Sequence, residues 1–148
     1  MAKLVLTLGP KVGWAVHHED KATKIKSGCY TFKSFEDEDK NLTYERFYLY
    51  LKELIYSHNP IDVIYYQESH DGEYTLYRKC IEYILLTCEE NGIDSCKIKT
   101  KESIYHTLKI KDFDKIRIMD SIKAKDYKPE GLAEACAITT ALYVSTNS

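Results

Sequence analysis

The sequence feature that most constrains the fold is residues 3–16, KLVLTLGPKVGWAV. It contains two short apolar runs on either side of Gly9 and Pro10, and two such runs separated by a few turn-forming residues predict a β-hairpin. The first run is apolar except for Thr7, so it is expected to lie in the middle of a sheet that is covered on both faces. Thr7 is therefore the position in this strand that bears on function.

The pattern of apolar residues beyond the hairpin predicts strands and helices after a polar, turn-like segment at residues 17–22. In chain order these are a strand at 24–33 with Gly28 at a bulge, a helix at 44–56, a strand at 61–66, a helix at 73–90, a strand at 93–98, a short helix from residue 100 or 103, a helix at 114–123 and a helix at 130–144. Three strands in a meander, followed by strands that alternate with helices, indicate an α/β fold. We expect one domain over residues 1–148, with a mixed five-stranded sheet (three antiparallel strands, then two parallel) flanked by helices.

The composition is that of a soluble globular protein, with 44% hydrophobic residues and no apolar run long enough to span a bilayer. The start of the chain lacks the length and the cleavage site of a signal peptide, so a cytoplasmic location is expected. The five cysteines are odd in number and show no Cys-x-x-Cys spacing. They are expected to be reduced thiols rather than zinc ligands or disulfides.

The net charge of −2 gives no general reason to expect nucleic-acid binding. Positive charge is nevertheless concentrated in residues 97–128, where ten lysines and arginines and five acids give a local +5 and leave −7 for the rest of the chain. Seven of these basic residues form a candidate phosphate-facing surface: Lys97, Lys99, Lys101, Lys109, Lys111, Lys115 and Arg117. A solvated helix face accounts for the same pattern nearly as well.

Three segments carry a resemblance to a known family: LTLGPKVGWAV, DVIYYQESH and GLAEACAITTALY. In order and spacing they resemble the RuvC-like Holliday junction resolvases of phages and bacteria, which have the RNase H (retroviral integrase) fold. The resemblance implies that fold for this chain. In the family, four carboxylates hold two Mg²⁺ ions about 4 Å apart, which activate a water and stabilise the leaving oxygen of a phosphodiester.

The resemblance also implies a homodimer, often formed through the helix after the fourth strand. This chain has a candidate face there, made of Tyr74, Tyr77, Ile81 and Ile84. Burial of the same face within the monomer is the competing explanation.

The acid positions of the family form the candidate site, and this sequence occupies them differently. In chain order the four positions fall on Thr7, Gln67, Gly131 and Glu134. Glu68 and Glu130 are the nearest substitutes, but adjacent strand residues point to opposite faces, so Glu68 replaces Gln67 only if the strand end twists or bulges. One assured carboxylate is too few for two metal ions, so a degenerate site with no catalytic residue and no metal is favoured. The plainer interpretation is structural: Thr7 suits a strand, Gln67 caps a strand end and Glu134 is a solvated helix residue.

Three functions compete. The favoured one is a pseudonuclease without a cofactor, an adaptor that recruits or sorts protein partners, because low net charge and thirteen tyrosines suit protein interfaces. A Lys-, Ile- and Tyr-rich relative of this size is typical of a large AT-rich phage, which would place it in the host cytoplasm. The second is a non-cleaving binder of branched nucleic acid that uses the basic surface. The third is an active Mg²⁺-dependent endonuclease whose site is rebuilt from Glu68, Glu130 and Glu134.

Overall fold

The computed structural model describes residues 1–9, 11–19, 25–32, 40–68, 74–109 and 115–147. Within them lie five strands: β1 (Ala2–Leu8), β2 (Lys11–His18), β3 (Lys26–Thr31), β4 (Ile61–Glu68) and β5 (Asp94–Lys97). The same residues contain five helices: α1 (Lys40–Ser57), α2 (Tyr74–Asn91), α3 (Thr100–Leu108), α4 (Lys115–Ala124) and α5 (Leu132–Asn147). None of the described helices is long and apolar enough to cross a membrane.

The strands form one mixed sheet in the order β3-β2-β1-β4-β5. β1 pairs with β2, and β2 with β3, in antiparallel ladders, whereas β1–β4 and β4–β5 are parallel. The apolar first strand therefore lies at the centre, as predicted. The predicted architecture of three antiparallel strands followed by two parallel ones, flanked by helices, is confirmed.

Helices cover both faces of the sheet. Because successive side chains of β1 point to opposite sides, this strand contributes to the core on each face. Leu4, Leu6 and Leu8 pack in a core with α1 and α2 that includes Phe47 and Ile84. Val5 packs on the other side, in a second core with α3, α4 and α5 that includes Ile104 and Ile138. The two cores explain why β1 carries apolar side chains on both of its faces.

Two predictions about the meander are wrong. Residues 17–22 are predicted to be turn-like, but residues 17 and 18 belong to β2, whose last residue, His18, pairs with Ala2 of β1; residues 20–22 lie outside the described part of the structure. Gly28 does not mark a bulge, since the register of β2 and β3 runs without a shift through the Trp14–Gly28 pair. A Cβ at Gly28 would lie 2.6 Å from the Trp14 indole, so the glycine makes room for that ring.

The helices differ from prediction mainly at their ends. α1 begins at Lys40 rather than near residue 44, and α5 begins at Leu132 rather than at Glu130. On α2, Ile84 is fully buried and Ile81 packs against the same core, so this part of the candidate dimer face lies within the monomer. The side chains of Tyr74 and Tyr77 lie outside the described part of the structure.

All five cysteines are free thiols in the structure. Burial raises the pKa of Cys80 to about 12 and that of Cys88 to about 11, so both thiols stay protonated at neutral pH. Cys136 is also buried, Cys29 is half-buried and Cys96 is exposed.

Candidate functional site

The candidate site begins where the two central parallel strands end. Thr7 on β1 and Gln67 on β4 are direct partners in the register of the sheet. They lie on the face that α5 covers, and both are buried, Thr7 to 2% exposure and Gln67 to 0%. Gln67 lies at the end of β4, as the plainer interpretation has it, and its side chain is fully buried there.

Gln67 is the centre of a set of buried side-chain hydrogen bonds. Its Nε2 donates to Thr7 Oγ1 at 2.9 Å and to Thr140 Oγ1 at 2.6 Å. Its Oε1 accepts a hydrogen bond from Ser103 Oγ at 3.2 Å, and Ser103 Oγ lies 3.3 Å from Thr140 Oγ1. We call these four buried side chains (Thr7, Gln67, Ser103 and Thr140) the Gln67 network.

The Gln67 network is electrically neutral, since it consists of one amide and three hydroxyls. Thr140 Oγ1 also donates to the carbonyl of Cys136 at 2.8 Å, which ties the network to the backbone of α5. An unpaired buried polar group costs about 1–3 kcal/mol, so a buried amide is stable here only because both of its ends have partners. The hydroxyls on three different elements supply those partners.

Glu134, the acid that best matches the family, takes part in a different set of contacts. Ser27 Oγ on β3 donates to its Oε2 at 2.8 Å, and the backbone N–H of Glu130 donates to its Oε1 at 3.2 Å. Glu134 is only 5% exposed, so the interpretation of this residue as a solvated helix residue is wrong. It lies six residues before Thr140 on α5, about 9 Å along the helix axis.

Gly13 fixes the position of α5 over the sheet. A Cβ on this residue would lie 2.1 Å from the carbonyl oxygen of Ala133 and 2.7 Å from the backbone nitrogen of Glu134, so only glycine permits this approach. Gly13 is also the antiparallel partner of Thr7. The close contact therefore sets the height of α5 above the strand ends, and with it the position of Glu134 and Thr140.

The other candidate positions are Gly131, Glu130 and Glu68. Gly131 precedes α5, and a Cβ built there has no other atom within 4 Å. Glu130 is exposed, and its described role is the backbone hydrogen bond to Glu134. Glu68 pairs with Leu8 in the β1–β4 register, but its side chain lies outside the described part of the structure.

The residues of the candidate phosphate surface lie on several elements. Lys97 ends β5, Lys109 follows α3 in a left-handed conformation with φ 56°, and Arg117 is on α4. These three and Lys99 are exposed. Lys111 and the side chains of Lys101 and Lys115 lie outside the described residues, so the surface as a whole stays a prediction.

The described side chains at the family's acid positions do not fit a pair of magnesium ions. Magnesium takes hard oxygen ligands in near-octahedral geometry, usually with carboxylates among them. Thr7 contributes a hydroxyl and Gln67 an amide, and both are engaged in the Gln67 network. Among the residues that the structure describes, no group of three or more His, Cys, Asp or Glu side chains lies close enough to hold a metal ion.

Comparison with solved structures identifies the fold. The RuvC structure of Thermus thermophilus superposes with a TM-score of 0.73 at 14% identity, over 99% of this chain and 96% of that chain. T. thermophilus RuvC in complex with Holliday junction substrate gives 0.70 at 17% identity, over 97% and 92% of the two chains. The fold is RuvC-like. The yeast mitochondrial Holliday junction resolvase also superposes, with a TM-score of 0.57 at 7% identity, over 97% of this chain and 80% of the other.

At these identities the likeness establishes the fold alone. No family model and no curated protein sequence matches the chain. Within the RuvC-like fold, the resemblance that the sequence motifs carry places Thr7 and Gln67 at two acid positions, and the structure brings them into direct contact.

Ser103, Thr140 and Ser27 are the site residues that sequence reasoning missed. Thr139 and Thr140 are adjacent polar residues in a stretch of α5, residues 135–144, whose other members are apolar or Tyr, and this was the signal available for Thr140. Ser103 was considered only as a start of α3. Nothing in the strand pattern of β3 distinguishes Ser27.

Proposed function

We propose that this protein is a RuvC-like domain that does not cleave DNA and acts as an adaptor that binds protein partners. The observation that carries the proposal is the Gln67 network. Gln67 and Thr7, at two positions where the resolvases have acids, bind each other and two further hydroxyls in a buried, neutral cluster.

The energetics of the network favour this function over catalysis. A metal ion at Gln67 would compete with hydrogen bonds to Thr7, Thr140 and Ser103, and each buried group left without a partner costs about 1–3 kcal/mol. The amide that remains is a neutral ligand and cannot compensate the charge of a divalent cation. Selection for a cation site would keep carboxylates, whereas selection for a stable scaffold accounts for the amide and hydroxyls.

Charge and composition support proteins as the partners. The net charge of −2 and pI of about 6.2 disfavour a general attraction to phosphate backbones, whereas tyrosine is enriched in protein interfaces. The exposed residues Leu49 and Tyr56 of α1 add apolar surface, at 61% and 86% exposure. The setting we propose is the cytoplasm of a host cell infected by the phage that encodes the protein.

A second candidate function is non-cleaving binding of branched nucleic acid. The exposed basic residues Lys97, Lys99, Lys109 and Arg117 favour it. Binding that depends on phosphate contacts must weaken steeply as the salt concentration rises. A third candidate, an active nuclease that uses Glu68, Glu130 and Glu134, rests on the carboxylates that remain near the acid positions.

A cleavage assay separates the third candidate from the other two. The purified protein is incubated with a labelled four-way junction and Mg²⁺ or Mn²⁺, alongside T. thermophilus RuvC as the active control. We expect no cleavage above background. Cleavage by the wild type that is lost in Glu134→Gln or Glu68→Ala would overturn the proposal.

A binding assay separates the first two. Junction binding is measured at 50 and 200 mM salt for the wild type, for a variant with Lys97, Lys109 and Arg117 changed to Gln, and for the matched control Lys52→Gln on α1. The adaptor function predicts no salt-dependent binding and a stoichiometric complex with a purified protein partner in the presence of a nuclease. Tight binding at low salt that only the triple variant loses would instead establish the nucleic-acid function.

A further inference from the structure

A cleft lies on the side of the sheet opposite the Gln67 network, between β2 and the end of α1. Its volume is about 250 Å³, and it is lined by Trp14, Tyr50, Glu53, Leu54, Ser57 and His58. Cofactor pockets usually measure about 300–1,000 Å³, so this cleft has room for one side chain of a partner rather than for a cofactor.

Three aromatic side chains of the cleft are held in fixed positions relative to one another. Trp14 Nε1 donates to the hydroxyl of Tyr50 at 2.8 Å, and Gly28 leaves the space that the indole occupies. The ring of His58 lies 5.6 Å from that of Trp14, at an interplanar angle of 49°. The aromatic wall of the cleft is therefore preorganised, which reduces the entropy cost of ordering these side chains when a ligand binds.

The charges around the cleft favour a cation. Aromatic faces carry negative quadrupole potential, Trp most strongly, and Glu53 adds a carboxylate. Burial, together with the charges of Lys26 and His18, lowers the pKa of His58, so its ring is neutral at pH 7. Lys26 and His18, which both lower the pKa of His58, lie on strands, so a cation would sit toward Glu53 on α1.

We propose that this cleft binds a cationic side chain, arginine or lysine, presented by a partner protein. Cation–π contact with Trp14 and ion pairing with Glu53 would supply the selectivity. The affinity of the cleft for a cation goes beyond the non-cleaving adaptor function, and only the identification of the occupant as part of a protein rests on that function. The cleft and the Gln67 network lie on opposite faces of the sheet.

The test uses two small probes, N-acetylarginine amide and its neutral isostere N-acetylcitrulline amide. Trp14 is the only tryptophan in the chain, so its indole N–H gives a single, unambiguous NMR signal. We expect millimolar binding of the arginine probe, about tenfold tighter than that of the citrulline probe, from the summed cation–π and ion-pair contributions. Equal affinity for the two probes would overturn the proposal, because it would mean that only apolar contact matters.

Charge variants give a second, independent readout through the backbone amides of Ser57 and His58. Glu53→Gln should weaken arginine binding about threefold, and Lys26→Gln should strengthen it about twofold. Glu89→Gln, an exposed acid on α2, is the matched control and should leave it unchanged. Arginine binding that responds equally to Glu53→Gln and Glu89→Gln would contradict a site in this cleft. Junction cleavage by the wild type would overturn the adaptor function and leave this result untouched.

Discussion

Gln67 Nε2 lies 2.9 Å from Thr7 Oγ1, so a neutral amide and a neutral hydroxyl meet where the two central parallel strands end. Their pairing in the sheet register makes the contact a property of the fold rather than of a loop. Thr140 and Ser103 close the cluster from α5 and α3. The first consequence is that a charge at Gln67 should be costly.

Gln67→Glu is expected to lower the free energy of unfolding by about 3 kcal/mol at pH 8, because the variant buries a carboxylate among neutral groups. Burial should raise the pKa of the new carboxyl above its unfolded value of about 4.3. The penalty is then smallest at low pH and grows as the pH rises through the folded pKa. Urea unfolding at pH 5 and pH 8 measures it, with Ser95→Glu on exposed β5 as the control for added charge. An equal loss at both pH values would contradict a buried, neutral environment.

Thr139 and Thr140 provide a matched pair on α5. Both are fully buried and both donate to a carbonyl four residues earlier, but only Thr140 accepts a hydrogen bond from Gln67. Thr140→Val should therefore cost about 1–2 kcal/mol more than Thr139→Val, because it leaves a donor of the buried amide without an acceptor. Chemical unfolding of the two variants measures this difference in the free energy of unfolding. Equal losses would mean that the hydrogen bond from Gln67 to Thr140 does not stabilise the protein.

Gly13 and Gly131 provide a second matched pair. Gly13→Ala places a Cβ against the backbone of Ala133, so α5 must move and the loss should be about 1–3 kcal/mol. Gly131→Ala meets open space, so its effect should be neutral or stabilising by up to about 1 kcal/mol. Thermal unfolding tests both. A Gly13→Ala protein as stable as the wild type would contradict the close approach of α5 to β2.

His17 should make stability depend on pH. Burial, followed by the charges of Lys3 and His18, lowers the pKa of His17, whereas Glu19 opposes the shift. The folded state therefore favours the neutral ring, so the stabilisation is complete above about pH 6.5 and is lost as the pH falls through the folded pKa. NMR titration should find His17 below its ordinary pKa and closer to it in Lys3→Gln. A His17 that titrates above 6.5 would contradict this environment.

The mixed sheet with β1 at its centre and the meeting of Thr7 with Gln67 could be predicted from sequence, because both follow from the apolar patterns of individual strands. An apolar strand interrupted by Thr7 and a second one ending in Gln67 must meet if the strands are parallel neighbours. The RuvC-like fold is what the resemblance of the three sequence motifs implies, and the superposition on solved RuvC structures confirms it.

Ser103, Thr140 and the role of Gly28 could not be predicted, because they depend on how helices and side chains pack across the sheet. The residue of α5 that lies above Gln67 is set by the contact of Gly13 with Ala133, which no periodicity encodes. The sequence predicts a bulge at Gly28, yet the space above this glycine is filled by the Trp14 indole from the neighbouring strand.

The most direct test of the central claim, that the acid positions no longer hold a metal pair, is anomalous diffraction from a crystal of the protein soaked in Mn²⁺. We predict no manganese peak among Thr7, Gln67 and Glu134, with the Gln67 network intact. Two manganese ions bound there, about 4 Å apart, would contradict the account.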